Sequence, residues 1–282
     1  VSGPGAGGPR GRDHAEEETR LPTRITAVII ARNAERTIAA CVRSLSFCGR
    51  IVVGVNASGD RTAELASAAG AEVRNVSWEG YAQTKNALIA GVSEGWILSV
   101  DADEVVSPEL SASIQRAASG RGPAGYWLGR RNYFLGREIR HAGWRPDWQL
   151  RLFRAGLGKF SARLVHEGLE VQGPTARLPG PLDHYTYFTL DDYLLRLETY
   201  TTLAARDRVL RGKKFSFLRL GFDSLWTFVK MYFCKGGWLD GVEGFLLCAL
   251  SAVNTLVKHA KHWEYLRTSQ AGGAPDHGQP ES

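Results

Sequence analysis

Short apolar runs alternate with amphipathic stretches between Ile25 and Val100. "ITAVII" (25–30) ends at "ARNAERT", and a helical pattern follows from Thr37 to Leu45. "RIVVGVNAS" leads into "GDRTAELASAAG", a helical repeat closed by Gly70, a residue suited to a left-handed C-cap. "AEVRNV" is shorter and precedes the helical "GYAQTKNALIAGV", after which "WILSV" (96–100) is the fourth run. Runs this short, with little alternation, predict strands buried on both faces of a parallel sheet. Strands that alternate with helices make the class α/β, with right-handed crossovers.

The fourth run opens directly onto Asp101, Asp103 and Glu104. Ser107 then reads as an N-cap and Pro108 as the first residue of the next helix. The acids therefore fall at the carboxyl end of a strand, the edge where open α/β sheets bind ligands. A solvated turn is the plain alternative, since Asp is common in turns. The other is a site for a hard cation, which takes carboxylate oxygens and leaves room for phosphate.

After Leu110 the pattern changes. "GYWLGRRNYFLG" and "WQLRLFRAG" predict strands rich in aromatic residues with Arg interleaved, and Gln149 and Arg151 share one strand face. From Asp191 the pattern is helical, with "DDYLLRLETYTTLAARDRVL" as one long amphipathic helix. The expected organisation is a disordered tail (1–23), an α/β domain (24–190), a helical extension (191–267) and a flexible tail (268–282).

Composition adds three restrictions. The chain is 44% hydrophobic and 10% aromatic, enough for a sizeable core. It contains neither GxGxxG nor GxxxxGK[ST], so it lacks the standard dinucleotide and P-loop motifs. Cys41, Cys48, Cys234 and Cys248 form no CxxC pair, which predicts reduced, buried thiols in a cytosolic protein rather than a zinc site. No secretory signal precedes the fold in the sequence as given.

The charge is unevenly placed. Residues 206–267 hold 11 Lys or Arg against 5 Asp or Glu, and the remainder holds 24 against 24. The basic excess accompanies "FSFLRLGFDSLWTFVKMYFCKGGW", and basic residues among Phe, Trp and Leu suit an interfacial helix better than a nucleic-acid patch. The later run "GFLLCALSAVNTLV" is short of the roughly 20 residues needed to span a bilayer. The expectation is monotopic association with an anionic membrane surface and no nucleic-acid partner. A buried helix pair with a wet rim is the alternative.

The order of motifs, "ARNAERT", "NASGDRT", "KN", "DADE", "PDWQLRLF", "VHE" and "YFCKGGWLDGVEGF", resembles family 2 glycosyltransferases of the GT-A fold. The likeness is to the bacterial lipopolysaccharide-core glucosyltransferase group and runs from Ile25 to Leu266. It implies a nucleotide-sugar-binding sheet flanked by helices, with a membrane-associating helical extension. It also implies an inverting transfer of a hexose, with UDP-glucose as the expected donor and a lipid-linked oligosaccharide as acceptor, at the cytoplasmic face of the inner membrane. A Mn²⁺ or Mg²⁺ ion would offset the charge of the leaving diphosphate.

The resemblance assigns residues as well. Ala31, Arg32, Asn33 and Asn56 would contact the nucleotide, and Lys85 and Arg151 its phosphates. Asp103 would bind the metal, and Asp101 the ribose or the metal. His166 would join the metal or diphosphate, with His184 as its rival. Asp147 matches the general base, with Glu167 next in line. One departure stands out: relatives end the second strand in an acid where this chain has Val55. The neighbouring Asn56 amide still offers a donor and an acceptor to a base edge. Two alternatives stay open, a nucleotidyltransferase and a catalytically degenerate membrane-bound scaffold of the same fold.

Overall fold

The computed structural model describes residues 25–161 and 168–270. His166, Glu167 and most of the two expected tails lie outside the described residues. Residues 268–270 continue the last helix rather than beginning a tail.

The expected alternation is present: β1 (Ile25–Ala31), α1 (Ile38–Ser44), β2 (Arg50–Val55), α2 (Thr62–Ala68), β3 (Glu72–Asn75), α3 (Tyr81–Ile89) and β4 (Trp96–Asp101). β1 pairs in parallel with β2 and with β4, and β2 with β3. Ile25, Ala27 and Ile29 of β1 face α1 and α2 in one core cluster, while Val28 faces α3 in a second. Helices cover both faces, which explains why these strands read as continuous apolar runs.

Beyond β4 the sheet becomes mixed. The chain continues through β5 (Glu104–Val106), α4 (Pro108–Ser119), β6 (Gly125–Phe134), β7 (Arg137–Glu138), β8 (Asp147–Arg154), β9 (Gly158–Phe160), β10 (Leu169–Val171) and β11 (Thr175–Tyr187). Ser107 caps α4 as expected, its hydroxyl accepting from Leu110 N–H at 3.2 Å. The sheet order is β3-β2-β1-β4-β8-β6-β11-β5, with β7 attached to β6. β8 is antiparallel to both β4 and β6, and β11 is parallel to β6.

The long strand β11 was not expected. Its sequence "TARLPGPLDHYTY" breaks alternation with two prolines and a glycine. A register shift between Arg177 and Pro181 absorbs them, as bulges commonly do. At Gly180 (φ +98°) the strand passes so close to α4 that a Cβ would come within 2.5 Å of the Leu110 nitrogen.

The C-terminal part is helical: α5 (Leu190–Leu210), α6 (Phe217–Val229) and α7 (Gly241–Gln270). A capping box starts α5, with Thr189 and Asp192 satisfying each other's backbone N–H groups. Phe134 and Ile139 pack with Tyr193 of α5 and Leu247 of α7, joining these helices to the end of β6. The motif "CKGGWLDGVEGF" now has a structural reading. Gly244 of α7 lies against the Gly237 carbonyl so closely that a Cβ there would overlap it. Asp240, 4% exposed, accepts the N–H groups of Arg140 (3.2 Å) and His141 (2.8 Å).

Two expectations are corrected. The apolar run "GFLLCALSAVNTLV" belongs to a longer helical segment, Gly237–Thr268 (32 residues), which is long and apolar enough to cross a membrane by length and composition. Of the four cysteines, Cys41 and Cys248 are buried, but Cys48 is half-buried and Cys234 exposed.

Candidate active site

The acidic turn after β4 is built into a network of cations. Glu104 is 0% exposed, and its Oε2 accepts the Asp101 N–H at 2.8 Å, which closes the turn. Three cations converge on the Asp101 carboxylate. Lys85 of α3 reaches Oδ1 at 2.8 Å, Arg130 of β6 reaches Oδ2 at 2.9 Å, and Arg151 of β8 also reaches Oδ2. Both arginines continue to Glu104 Oε1, Arg130 Nε at 2.6 Å and Arg151 Nη2 at 3.0 Å. Burial alone would raise the Asp101 pKa, but Arg151, Lys85 and Arg130 hold it well below the usual carboxylate range. The acids neutralise cations that the sheet otherwise buries.

Strand register brings the next residues together. Arg130 on β6 is directly opposite Asp147 on β8, and Asn132 on β6 is opposite His184 on β11. Asn132 Nδ2 donates to Asp147 Oδ2 at 3.1 Å, and Gln149 Nε2 donates to Oδ1 at 2.6 Å. The Asn132 carbonyl faces His184 Nδ1 at 2.7 Å. His184 Nε2 lies 3.6 Å from Asp103 Oδ2, which Arg196 of α5 approaches at 3.4 Å. Burial opposes ionisation of Asp103, yet the neighbouring His184 and Arg196 keep its pKa below the ordinary value.

The loops after β1 and β2 form the adjoining wall. Asp60 ties them, accepting from Glu35 N–H (3.0 Å) and Thr62 N–H (3.0 Å). Thr62 Oγ1 in turn accepts the Ala34 N–H at 2.7 Å. Asn33 (φ +47°) sits between the loops, accepting Gly59 N–H at 2.9 Å and donating its own N–H to Ser58 Oγ at 3.1 Å. Ala31 and Val55 are buried strand ends, joined where Asn56 N–H donates to Ala31 O at 3.2 Å. The Arg32 Nε atom is buried there without a hydrogen-bond partner.

The structure thus assembles Lys85, Asp101, Asp103, Asp147, Arg151 and His184 at one sheet edge, with Ala31 at the end of β1 and Arg32, Asn33 and Asn56 on the adjacent loops. His166 lies outside the described residues, and the described rival, His184, is the imidazole beside Asp103. Sequence reasoning missed Arg130, Asn132, Arg196 and the role of Glu104. A signal existed for two of them. Arg130 and Asn132 occupy the same alternate positions of β6 as the buried Tyr126, Leu128 and Phe134. A charged or amide side chain in an inward-facing series demands partners.

Among the described residues, no group of three or more His, Cys, Asp or Glu side chains is placed to hold a metal ion. Mg²⁺-type ions, however, use one or two carboxylates and take further oxygens from substrate phosphates. Asp103, with the His184 imidazole 3.6 Å away, fits that pattern. Asp101 fits it less well, because each of its oxygens already meets a cation.

Residues 26–168 match the family model described as Glycosyl transferase family 2. The chain is 31% identical over 253 residues to "Lipopolysaccharide core biosynthesis glycosyltransferase LpsC" of Rhizobium meliloti (strain 1021), covering 87% of this chain and 93% of that protein. A protein of Rickettsia typhi (strain ATCC VR-144 / Wilmington) described as an uncharacterized glycosyltransferase is 25% identical, over 84% of this chain and 86% of its own. Among solved structures, glucosyl-3-phosphoglycerate synthase from Mycobacterium tuberculosis, in complex with Mn²⁺, uridine-diphosphate and phosphoglyceric acid, is 22% identical with a TM-score of 0.33. That overlap covers 39% of this chain and 43% of the other.

Proposed function

The chain belongs to glycosyl transferase family 2, an enzyme family, and has a GT-A type fold; from that membership we propose an inverting, metal-dependent hexosyltransferase acting on a lipid-linked glycan, such as a lipopolysaccharide core. The nucleotidyltransferase alternative is thereby set aside. The observation that carries the proposal is the cross-strand placement of Asp147 beside the acidic turn. A carboxylate that can take a proton and a carboxylate that can face a diphosphate share one sheet edge.

In this reading Asp147 accepts the proton of the acceptor hydroxyl as that oxygen attacks the anomeric carbon. Gln149 and Asn132 orient the carboxylate, each occupying one oxygen and leaving further lone pairs free. Arg130 Nη1 is 3.9 Å away and leaves the carboxylate open. Asp103 and His184 are the residues that would hold a divalent cation, which supplies charge for the departing diphosphate. Asp101 and Glu104 keep Lys85, Arg130 and Arg151 extended toward the same region. A nucleoside diphosphate bound there meets fixed cations, so little reorganisation is needed as its charge grows. Arg32, Asn33 and Asn56 line the wall for the nucleoside. UDP-glucose is the proposed donor.

The acceptor proposal follows from the relative's printed role and from the exposed apolar helices. Membrane association at the cytoplasmic face of the inner membrane would put the site beside a lipid-linked substrate. The test is release of UDP from UDP-glucose with Mn²⁺ or Mg²⁺, with and without chelator, using lipopolysaccharide-core acceptors. Transfer that survives chelation and the Asp103→Asn substitution would remove metal and acidic turn from the mechanism.

A further inference from the structure

A second polar concavity lies away from the acidic turn, between the end of α5, the start of α6 and the face of α7. It has a volume of about 80 Å³ and is lined by Arg208, Lys213, Lys214, Arg219, His259 and His262, with Ser216 and Asp223. Arg196, which reaches Asp103, is twelve residues before Arg208 on the same helix, so the concavity sits roughly 18 Å further along α5 at 1.5 Å per residue.

Its charge is one-sided. Four cationic side chains line it against one acid, and Asp223 directs its carboxylate to His259 Nε2 at 3.1 Å. Arg208 is turned to the other ring nitrogen, Nη1 to Nδ1 at 3.0 Å, while His262 Nε2 meets the Lys213 carbonyl at 3.0 Å. The two imidazoles are 4% and 2% exposed, so the floor is ordered and built. In the acidic turn, by contrast, Asp101 and Glu104 neutralise the converging cations. Here no second acid does so.

The surroundings are apolar. Leu210 is 84% exposed, Phe217 78% and Leu218 81%, and these residues flank the lining segments in sequence. Basic lining residues with exposed Leu and Phe beside them in the chain combine the two features that a headgroup boundary offers a protein, phosphate charge and apolar surface. A pocket for a soluble phosphate has no need of exposed apolar neighbours.

We propose that this pocket binds the phosphate of an anionic phospholipid headgroup, anchoring the helical extension in one orientation on the membrane. The proposal rests on the membrane reading above but predicts more than it. A diffuse basic surface senses only charge density, whereas a pocket recognises a single phosphate through Arg and Lys donors.

The experiment uses the full chain and a short-chain phosphatidylglycerol kept monomeric, so that no charged surface is present. The matching phosphatidylcholine and inorganic phosphate serve as comparison probes. The wild type should bind the phosphatidylglycerol and bind the phosphatidylcholine weakly. Lys214→Gln with Arg219→Gln should weaken phosphatidylglycerol binding by about tenfold or more, as for lost charge-assisted hydrogen bonds. A control that removes the same charge elsewhere on the helices, Lys230→Gln with Arg267→Gln, should stay within about twofold. Equal losses in the two double variants, at unchanged melting temperature, would overturn the pocket. Inorganic phosphate binding as tightly as the lipid would overturn the lipid assignment. Sedimentation with phosphatidylglycerol vesicles separates the two readings. Vesicle binding indifferent to the pocket substitutions sinks the pocket alone. Absence of vesicle binding, with monomer binding intact, sinks the membrane reading alone.

Discussion

The sheet-bearing part and the helical part both gather arginine and lysine, but they settle the charge in opposite ways. In the first, Arg130 and Arg151 are nearly buried and held by Asp101 and Glu104. In the second, Arg208, Lys213, Lys214 and Arg219 share one acid. Apolar side chains divide the same way. Among the described residues, 19 of the 21 exposed large hydrophobics lie from Leu190 onward. The first arrangement is that of a site whose charges must be fixed before the substrate arrives. The second leaves both charge and apolar surface to be satisfied by something outside the chain.

The largest effect that would break this contrast is at Asp147. Replacing it with Asn should lower kcat by about 10² to 10⁴, the usual contribution of a general base. Donor affinity, measured by calorimetry with UDP, should hardly change, because the cation network is intact. If affinity collapses while the residual rate stands, Asp147 belongs to the donor pocket and the base is elsewhere.

Glu104 sharpens the comparison through stability. Its carboxylate is fully buried and meets two arginines, so Glu104→Gln leaves paired cations short of charge. Breaking a buried ion pair from one side costs about 3 to 5 kcal/mol. A denaturant midpoint should fall accordingly, with the slope unchanged if the unfolded chain is unaffected. A loss below 1 kcal/mol, read against the ~0 to 1 kcal/mol typical of exposed pairs, would mean that the network is as solvated as the surface.

Sequence made the parallel half of this fold legible because β1, β2 and β4 are covered on both faces and leave unbroken apolar runs. Family likeness also assigned Asp101, Asp103, Asp147 and Arg151 to one expected site. What stayed hidden depends on register. Arg130 meets Asp147, and Asn132 meets His184, through cross-strand pairs separated by 17 and 52 positions in the chain. No local pattern encodes such pairs, although the inward series of β6 marks Arg130 and Asn132 as needing partners. The strand β11 was masked by Pro179 and Pro181, whose bulge disrupts the period that would have revealed it. Arg196 was read as part of an amphipathic helix, and only the docking of α5 turns it to Asp103.

A smaller effect concerns the exposed helices. Phe222→Ser with Trp226→Ser should leave the melting temperature nearly unchanged, since both rings are already exposed and surface substitutions fall within about ±0.5 kcal/mol. Partition onto anionic vesicles should drop by tenfold or more, given about 25 cal/mol per Å² of apolar surface inserted. A large fall in melting temperature would instead place these rings in an internal core and remove the contrast drawn above.

The smallest expected effect is a difference in acid response. Burial lowers the pKa of His259, helped by Arg208 and Lys258 and opposed by Asp223; burial likewise lowers that of His262, where the Lys213 carbonyl opposes it and Arg208 adds to it. Lys214 and Arg219 line the same pocket. A histidine that resists protonation when folded stabilises the fold fully above its unfolded value of about 6.5 and loses that contribution as pH falls toward the folded value. The carboxylates of Asp101 and Asp103 are also depressed, so their contribution is fully present above about pH 3.9 and is lost only as pH falls through their folded values. Hydrogen exchange should therefore show α6 and α7 loosening as pH falls below about 6.5, while β1, β4 and β8 keep their protection until below about pH 4. Phosphate bound in the pocket favours the protonated rings, so by linkage the short-chain phosphatidylglycerol should bind more tightly at pH 5.5 and restore protection to the helices. Protection that is flat in the helices down to pH 4 would show that the imidazoles protonate without cost, and the pocket would then hold its charge more like a solvated surface than an enclosed site.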